Sequence, residues 1–278
     1  MTSSRALVDV ATVAARVDDP SWVLVDCRFS LDDPAAGRSA WAQGTIGGAA
    51  YANLDTDLAG PVLPGKTGRH PLPSVERFAA TLGAWGIGDA MQVVAFDDFG
   101  GAFASRLWWM LRWLGHDAVA VLDGGLPAWV AAGQPTTPGQ PTSRTAQFVP
   151  RPRPDLLATA ADVHTALDDP SQRLIDARGA ARYSGENETR DPVAGHIPGA
   201  VSAPFTENLT EAKHFRSAQA LRERFTEVAD GRETIAYCGS GVTACHNLLA
   251  MAHAGLEPGR LFVGSWSEWI TDPTRPRE

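Results

Sequence analysis

Short runs of consecutive apolar residues alternate with longer stretches of helical periodicity along the whole chain. Trp22–Val25, Val93–Phe96 and Ala118–Leu122 are almost continuously apolar, the pattern of strands buried on both faces. The second half repeats it in Arg173–Ile175, Thr234–Tyr237 and Arg260–Val263. Between these runs, Ser74–Leu82, Ala102–Leu114 and Ser217–Val228 carry apolar residues at helical spacing. Strands alternating with helices predict βα units around a mainly parallel sheet flanked by helices. The pattern predicts an α/β fold, formed twice.

The two halves also share words. Asp18-Asp19-Pro20-Ser21 precedes Val25-Asp26-Cys27-Arg28, and Asp168-Asp169-Pro170-Ser171 precedes Ile175-Asp176-Ala177-Arg178. Gly44-Thr45-Ile46-Gly47-Gly48-Ala49 echoes Gly195-His196-Ile197-Pro198-Gly199-Ala200. Val93–Asp97 corresponds to Thr234–Cys238, and Gly124-Gly125-Leu126-Pro127-Ala128-Trp129 to Gly264-Ser265-Trp266-Ser267-Glu268-Trp269. Agreement in the same order at so many places points to a duplicated domain, not to a solenoid. Residues 133–155 carry six prolines and almost no apolar periodicity, as in an extended linker. The expected division is therefore 1–132, linker 133–155, and 156–278.

Composition narrows the function classes. The chain has 278 residues, 44% hydrophobic and 20% charged, with a formal charge of −8 and no basic cluster. Nucleic acid and anionic membranes are therefore not expected partners. No apolar run approaches the roughly 18 residues of a membrane span, and residues 1–22 lack the apolar core of a signal peptide. A cytoplasmic location is expected. The three cysteines, Cys27, Cys238 and Cys245, have no paired metal-ligand spacing. Neither a disulfide framework nor a metal site is expected, so an important thiol works reduced and alone.

One stretch concentrates the candidate chemistry. The apolar run Thr234–Tyr237 leads straight into Cys238, a turn containing Gly239, Ser240 and Gly241 follows, and Thr243–Ala254 has helical character closed by Gly255. In an open α/β sheet this crevice beyond the strand's carboxyl end is where ligands bind. Gly239 and Gly241 permit backbone conformations whose N–H groups converge on one point, which also faces a helix N-terminus. A thiol there is expected to titrate below the model value of about 8.5.

Cys238-Gly239-Ser240-Gly241-Val242-Thr243-Ala244 resembles the active-site loop of the 3-mercaptopyruvate sulfurtransferases, within the two-domain rhodanese family. The likeness extends over nearly the whole chain, including Gly195–Ala200 and Gly264–Trp266. It implies two tandem rhodanese-like domains, with a catalytic C-terminal copy and an inactive N-terminal one. Asp97 stands where the repeat places Cys238, and a carboxylate cannot carry sulfur. Arg182-Tyr183-Ser184-Gly185 is similar to the segment whose arginine holds the donor's carboxylate, a planar anion suited to a guanidinium. Arg190 corresponds to a second substrate arginine, after a segment one residue shorter than usual. Gly239, Gly241, Val242 and Thr243 correspond to the substrate-binding loop. A Ser-His-Asp proton relay is implied by Ser240, by His70 in Arg69-His70-Pro71-Leu72-Pro73, and by Asp55 in Asn53-Leu54-Asp55.

The activity so implied moves sulfur from 3-mercaptopyruvate to a thiol, thioredoxin-like or cyanide acceptor through a Cys238 persulfide, releasing pyruvate and needing no cofactor. The first alternative is thiosulfate as donor. Its two charges favour cations in the loop, and Gly239 and Ser240 supply none. A Cys-dependent phosphatase needs Cys-x5-Arg, and position 244 is Ala. The remaining alternative, a non-catalytic sulfur-carrier or regulatory module, sits poorly with an intact loop plus Arg182.

Overall fold

A computed structural model describes residues 6–141 and 144–278. Its described residues form two compact units. Those within 1–60, 73–153 and 211–214 make the first; those within 61–72, 154–210 and 215–278 make the second. Residues 61–72, which include His70, therefore pack with the second unit although they lie early in the chain.

Each unit is built on a five-stranded sheet. The first contains β1 (Leu7–Val8), β2 (Trp22–Asp26), β3 (Ala50–Tyr51), β4 (Gln92–Phe96) and β5 (Val119–Leu122), in the order β1-β5-β4-β2-β3. The second contains β6 (Leu157–Ala158), β7 (Gln172–Asp176), β8 (Val201–Ser202), β9 (Glu233–Tyr237) and β10 (Arg260–Phe262), in the order β6-β10-β9-β7-β8. Every pairing is parallel, and β2 against β4 has the same register as β7 against β9. The central strands match the apolar runs to within a residue at each end. The two-residue edge strands escape prediction because so short a piece has no measurable period.

The words shared by the two halves make the same hydrogen bonds. In the first unit the Arg28 guanidinium pairs with Asp26 at 2.6 Å and donates to the Gly44 carbonyl. In the second, Arg178 pairs with Asp176 at 2.6 Å and donates to the Gly195 carbonyl. Each Asp-x-Arg step thus ties a strand end to the Gly-x-Ile turn before the edge strand. The carboxylates of Asp19 and Asp169 accept from the amide and hydroxyl of Ser21 and Ser171.

Helix ends follow the expected chemistry. Ser74 and Ser217 cap helices Val75–Ala84 and Ala218–Ala229 by accepting from the amides of Arg77 and Ala220. Helix Ala244–His253 is followed by Gly255 at φ +69°, the left-handed position that ends it. Behind β9, the core of the second unit gathers Leu174, Ile197, Ile235, Tyr237, Phe262, Trp266 and Trp269. Apolar packing of this kind holds the carboxyl ends of the strands in place.

The proline-rich segment is extended but not detached. Thr137 forms an antiparallel bridge with Thr45, the amide of Gly139 donates to Trp41, and that of Ala146 to Gly83. Phe148 is buried, and the amides of Arg151 and Arg153 donate to Leu114 and Trp113. Its described residues up to Arg153 belong to the first unit.

Candidate active site

β9 ends at Tyr237, and the next residue, Cys238, is 2% exposed. Its peptide is clamped from three directions. The Cys238 amide donates to Ser265 Oγ at 3.1 Å, its carbonyl accepts from the Trp266 amide, and the Gly239 carbonyl accepts from the Ser267 amide. Ser265 sits at φ +54°, a conformation that costs a non-glycine residue energy, and its hydroxyl also donates to the Phe262 carbonyl. The Gly-Ser-Trp word therefore serves to hold the loop by its start.

The sulfur itself faces hydrogen-bond donors. The Gly241 amide lies 3.1 Å from Cys238 Sγ. Burial pushes the thiol pKa up, but the Thr243 hydroxyl and the amides of Ser240 and Ala244 outweigh it and hold the thiol below its ordinary value. Gly241 is at φ +76°, and a Cβ there would lie 2.3 Å from the Val263 carbonyl oxygen, so only glycine fits. Gly239 differs: its φ is not in the left-handed region. A Cβ there would instead meet Arg69 Nη2 at 2.9 Å and Arg182 Nη1 and Nη2 at 3.2 Å. At Gly239 the absent Cβ leaves room for the ends of two flexible side chains, which could shift, so glycine is required there less strictly than at Gly241. That corrects the reading in which both glycines serve backbone freedom.

Two guanidiniums thus crowd the loop. Arg182, in helix Ala180–Tyr183, pairs with Glu188 at 2.9 Å and Asp191 at 3.0 Å. Arg69 pairs with the same Asp191. Glu188 also contacts Arg178 at 3.3 Å, joining the cluster to the Asp176–Arg178 pair. Arg190 lies on the exposed turn that carries Asp191, and its amide donates to Glu188.

The implied relay is assembled in part. His70 Nδ1 and Ser240 Oγ share a 2.8 Å hydrogen bond between two buried side chains. Asp55 belongs to the first unit, in an exposed turn after β3 where its amide donates to Asn53 Oδ1. Val242 is buried and Thr243 partly so. Among the other candidates, Cys245 is buried and donates its thiol to the Gly241 carbonyl. Burial and the neighbouring Asp97, Asp26 and Asp57 push the Cys27 thiol well up, which disfavours its thiolate. His246 stacks on Phe215 inside the unit. A cavity of about 580 Å³ lined by Phe225, Met251, Leu256, Pro258 and Arg260 lies elsewhere in the second unit and includes none of these groups. Among the described residues no cluster of His, Cys, Asp or Glu could hold a metal ion, and no helix is long and apolar enough to cross a membrane.

The family model described as rhodanese-like domain matches residues 9–132 and 159–272. The chain belongs to the rhodanese-like family. A probable 3-mercaptopyruvate sulfurtransferase of Pseudomonas aeruginosa is 49% identical, over 99% of this chain and 98% of its own. A putative thiosulfate sulfurtransferase of Mycobacterium tuberculosis is 38% identical, over 98% and 96%. The solved 3-mercaptopyruvate sulfurtransferase of Leishmania major superimposes with a TM-score of 0.86 at 32% identity, covering 98% of this chain and 75% of that one. This rhodanese-like protein is a sulfurtransferase.

The first rhodanese-like copy shows what its loop became. Asp97 is fully buried, and its carboxylate accepts from the amides of Phe99 and Gly101 at one oxygen and Phe103 and Ala104 at the other, at 2.8–2.9 Å. The Leu126 amide donates to the Asp97 carbonyl just as Trp266 does to Cys238. The anion cradle survives in this copy, filled by its own side chain.

Sequence reading missed Arg69, Glu188 and Asp191. Arg69 was visible only as the neighbour of His70. The two acids had no motif at all; their one signal is acidic residues within a turn of two arginines, which is usual on any surface.

Proposed function

We propose that the protein transfers sulfur from 3-mercaptopyruvate to a thiol or to cyanide, with Cys238 as the sulfur carrier. The observation that carries this reading is the buried Cys238 sulfur held against the loop amides with its pKa lowered. In the first half-reaction the Cys238 thiolate attacks the donor sulfur. The carbon–sulfur bond breaks, its electron pair leaves on the enolate of pyruvate, and the donor's S–H proton ends on that carbon. The His70–Ser240 hydrogen bond suits the pair to pass this proton, at a gain of about 10²–10⁴-fold. Arg182, with Arg190 nearby, binds the carboxylate, and the amides around Cys238 stabilise the persulfide anion. In the second half-reaction an acceptor thiolate, free or on a thioredoxin-like protein, attacks the outer sulfur and Cys238 leaves as thiolate. The cycle needs no cofactor, and a reduced cytoplasm suits its free thiol.

Thiosulfate is the second reading, and a specific observation favours it. The loop itself offers no cation, yet Arg69 and Arg182 reach Gly239 from outside the loop. Sulfite would then leave in place of the enolate, with no carbon to protonate.

Steady-state rates with each donor and cyanide as common acceptor test the assignment. We expect a higher kcat/KM with 3-mercaptopyruvate, no transfer by Cys238→Ser, and near-normal transfer by Cys27→Ser. Preference for thiosulfate would overturn the donor, and activity in Cys238→Ser would overturn the mechanism. His70→Ala and Asp55→Asn are expected to lower kcat with 3-mercaptopyruvate while leaving KM nearly unchanged. A normal kcat in either removes that residue from the relay.

A further inference from the structure

Arg69 is held in place on both sides. Its amide donates to Ser267 Oγ at 3.1 Å. The preceding Gly68 lies so close to the Gly264 carbonyl that a Cβ would approach it to 2.4 Å, and the following His70 is bonded to Ser240. This backbone is docked against the two segments that carry and clamp Cys238. Its guanidinium is not a loose surface group: it converges with Arg182 on the side of Gly239 left open by the missing Cβ.

Two guanidiniums aimed at one point repel each other, and burial adds to the cost. The Arg69 pKa is lowered by burial first and by Arg182 second, whereas Cys238 and Glu188 favour its charge. Asp191 offsets the repulsion by pairing with both arginines, and its carboxylate is 2% exposed. A tie that holds two cations together beside a nucleophile keeps them aimed while no donor is bound. Against the four cations Arg69, Arg178, Arg182 and Arg190 stand Asp176, Glu188, Asp191 and the Cys238 thiolate, so without Arg69 the place would carry a net negative charge and repel an anionic donor.

We propose that Arg69 is a donor-binding residue: paired with Arg182 over Gly239, it receives the donor's anionic head and admits dianions as well as monoanions. This rests on the sulfurtransferase reading and adds to it the group that sets donor charge. A monoanionic carboxylate needs one guanidinium contact, which Arg182 Nη1 on the Gly239 side supplies while Nε and Nη2 stay on Glu188 and Asp191. A dianionic sulfur oxyanion has oxygens and charge to engage a second.

The test measures binding without transfer. Cys238→Ser is titrated calorimetrically with thiosulfate, a dianion, and with pyruvate, a monoanion, alone and combined with Arg69→Met or Arg69→Lys. Arg69→Met is expected to weaken thiosulfate about tenfold, the loss of one charge-assisted contact, and pyruvate less than about threefold. Arg69→Lys should recover much of the thiosulfate loss. Equal weakening of both anions, no weakening of thiosulfate, or no thiosulfate binding by the Cys238→Ser parent would each overturn the proposal. Failure of the wild-type protein to transfer sulfur would instead overturn the function and is read in a separate assay.

Discussion

At the scale of single residues, the decisive balance is at the Cys238 sulfur. Burial alone would keep the thiol protonated; the Thr243 hydroxyl and the loop amides reverse that. A thiol pKa lowered by folding means that the thiolate's stabilising contribution is full above the unfolded value and is lost as pH falls through the folded one. Inactivation by iodoacetamide, followed against pH, is therefore expected to have its midpoint below the ordinary thiol value of about 8.5. Thr243→Val should move that midpoint up, and an unchanged midpoint would remove Thr243 from the cradle. Cys27, whose thiol is pushed the other way, should stay unlabelled in the native protein. Cys238 was legible from its strand–turn–helix setting. The separate reasons for Gly239 and Gly241 were not, because one concerns side chains that arrive from elsewhere and only the other concerns the loop's own backbone.

At the scale of elements, the Asp-x-Arg step of the repeat buries an ion pair at a strand end in each unit. Asp176 and Arg178 are buried together, and Arg178 reaches both the Gly195 carbonyl and Glu188. Removing Asp176 leaves the buried Arg178 with only the longer pair to Glu188, at a cost of up to about 3–5 kcal/mol. Asp176→Ala should lower stability by that amount in urea denaturation; a loss under about 1 kcal/mol would show that the pair does not tie β7 to its turn. Gly241→Ala should be destabilised as well as inactive, because its Cβ meets the Val263 carbonyl at a positive φ. The central strands and the capped helices were legible because period and capping are local properties. Edge strands of two residues were not, since they exist only through the neighbour they pair with. The proline-rich segment reads as extended from its composition, but its attachment to Trp41, Gly83 and Leu114 depends on backbone groups that composition does not encode.

At the scale of the whole molecule, the duplication has diverged in its chemistry more than in its frame. The first copy keeps the cradle and fills it with the Asp97 carboxylate. Asp97→Ala would leave buried amides without partners, and at about 1–3 kcal/mol for each group left unsatisfied it should lower the melting temperature measurably. Asp97→Cys is expected to add no cyanide-releasable sulfur beyond that of the parent, because Asp98 stands where the second copy has Gly239 and repels an anionic donor. Additional sulfur in that variant would show that the cysteine alone separates the copies. The sequence by itself determined the α/β fold and its duplication, because periodicity and repetition are written in neighbouring residues, and it singled out Cys238 as the proposed sulfur carrier by its strand–turn–helix setting. Only the tertiary structure decided that residues 61–72 pack with the second unit and that Arg69 and Arg182 share Asp191 beside Cys238, and it gave the His70–Ser240 pair, which the resemblance had implied, its 2.8 Å hydrogen bond. Those meetings join segments far apart along the chain, and a charge or a hydrogen-bonding group says nothing of its partner until the fold has brought the two together.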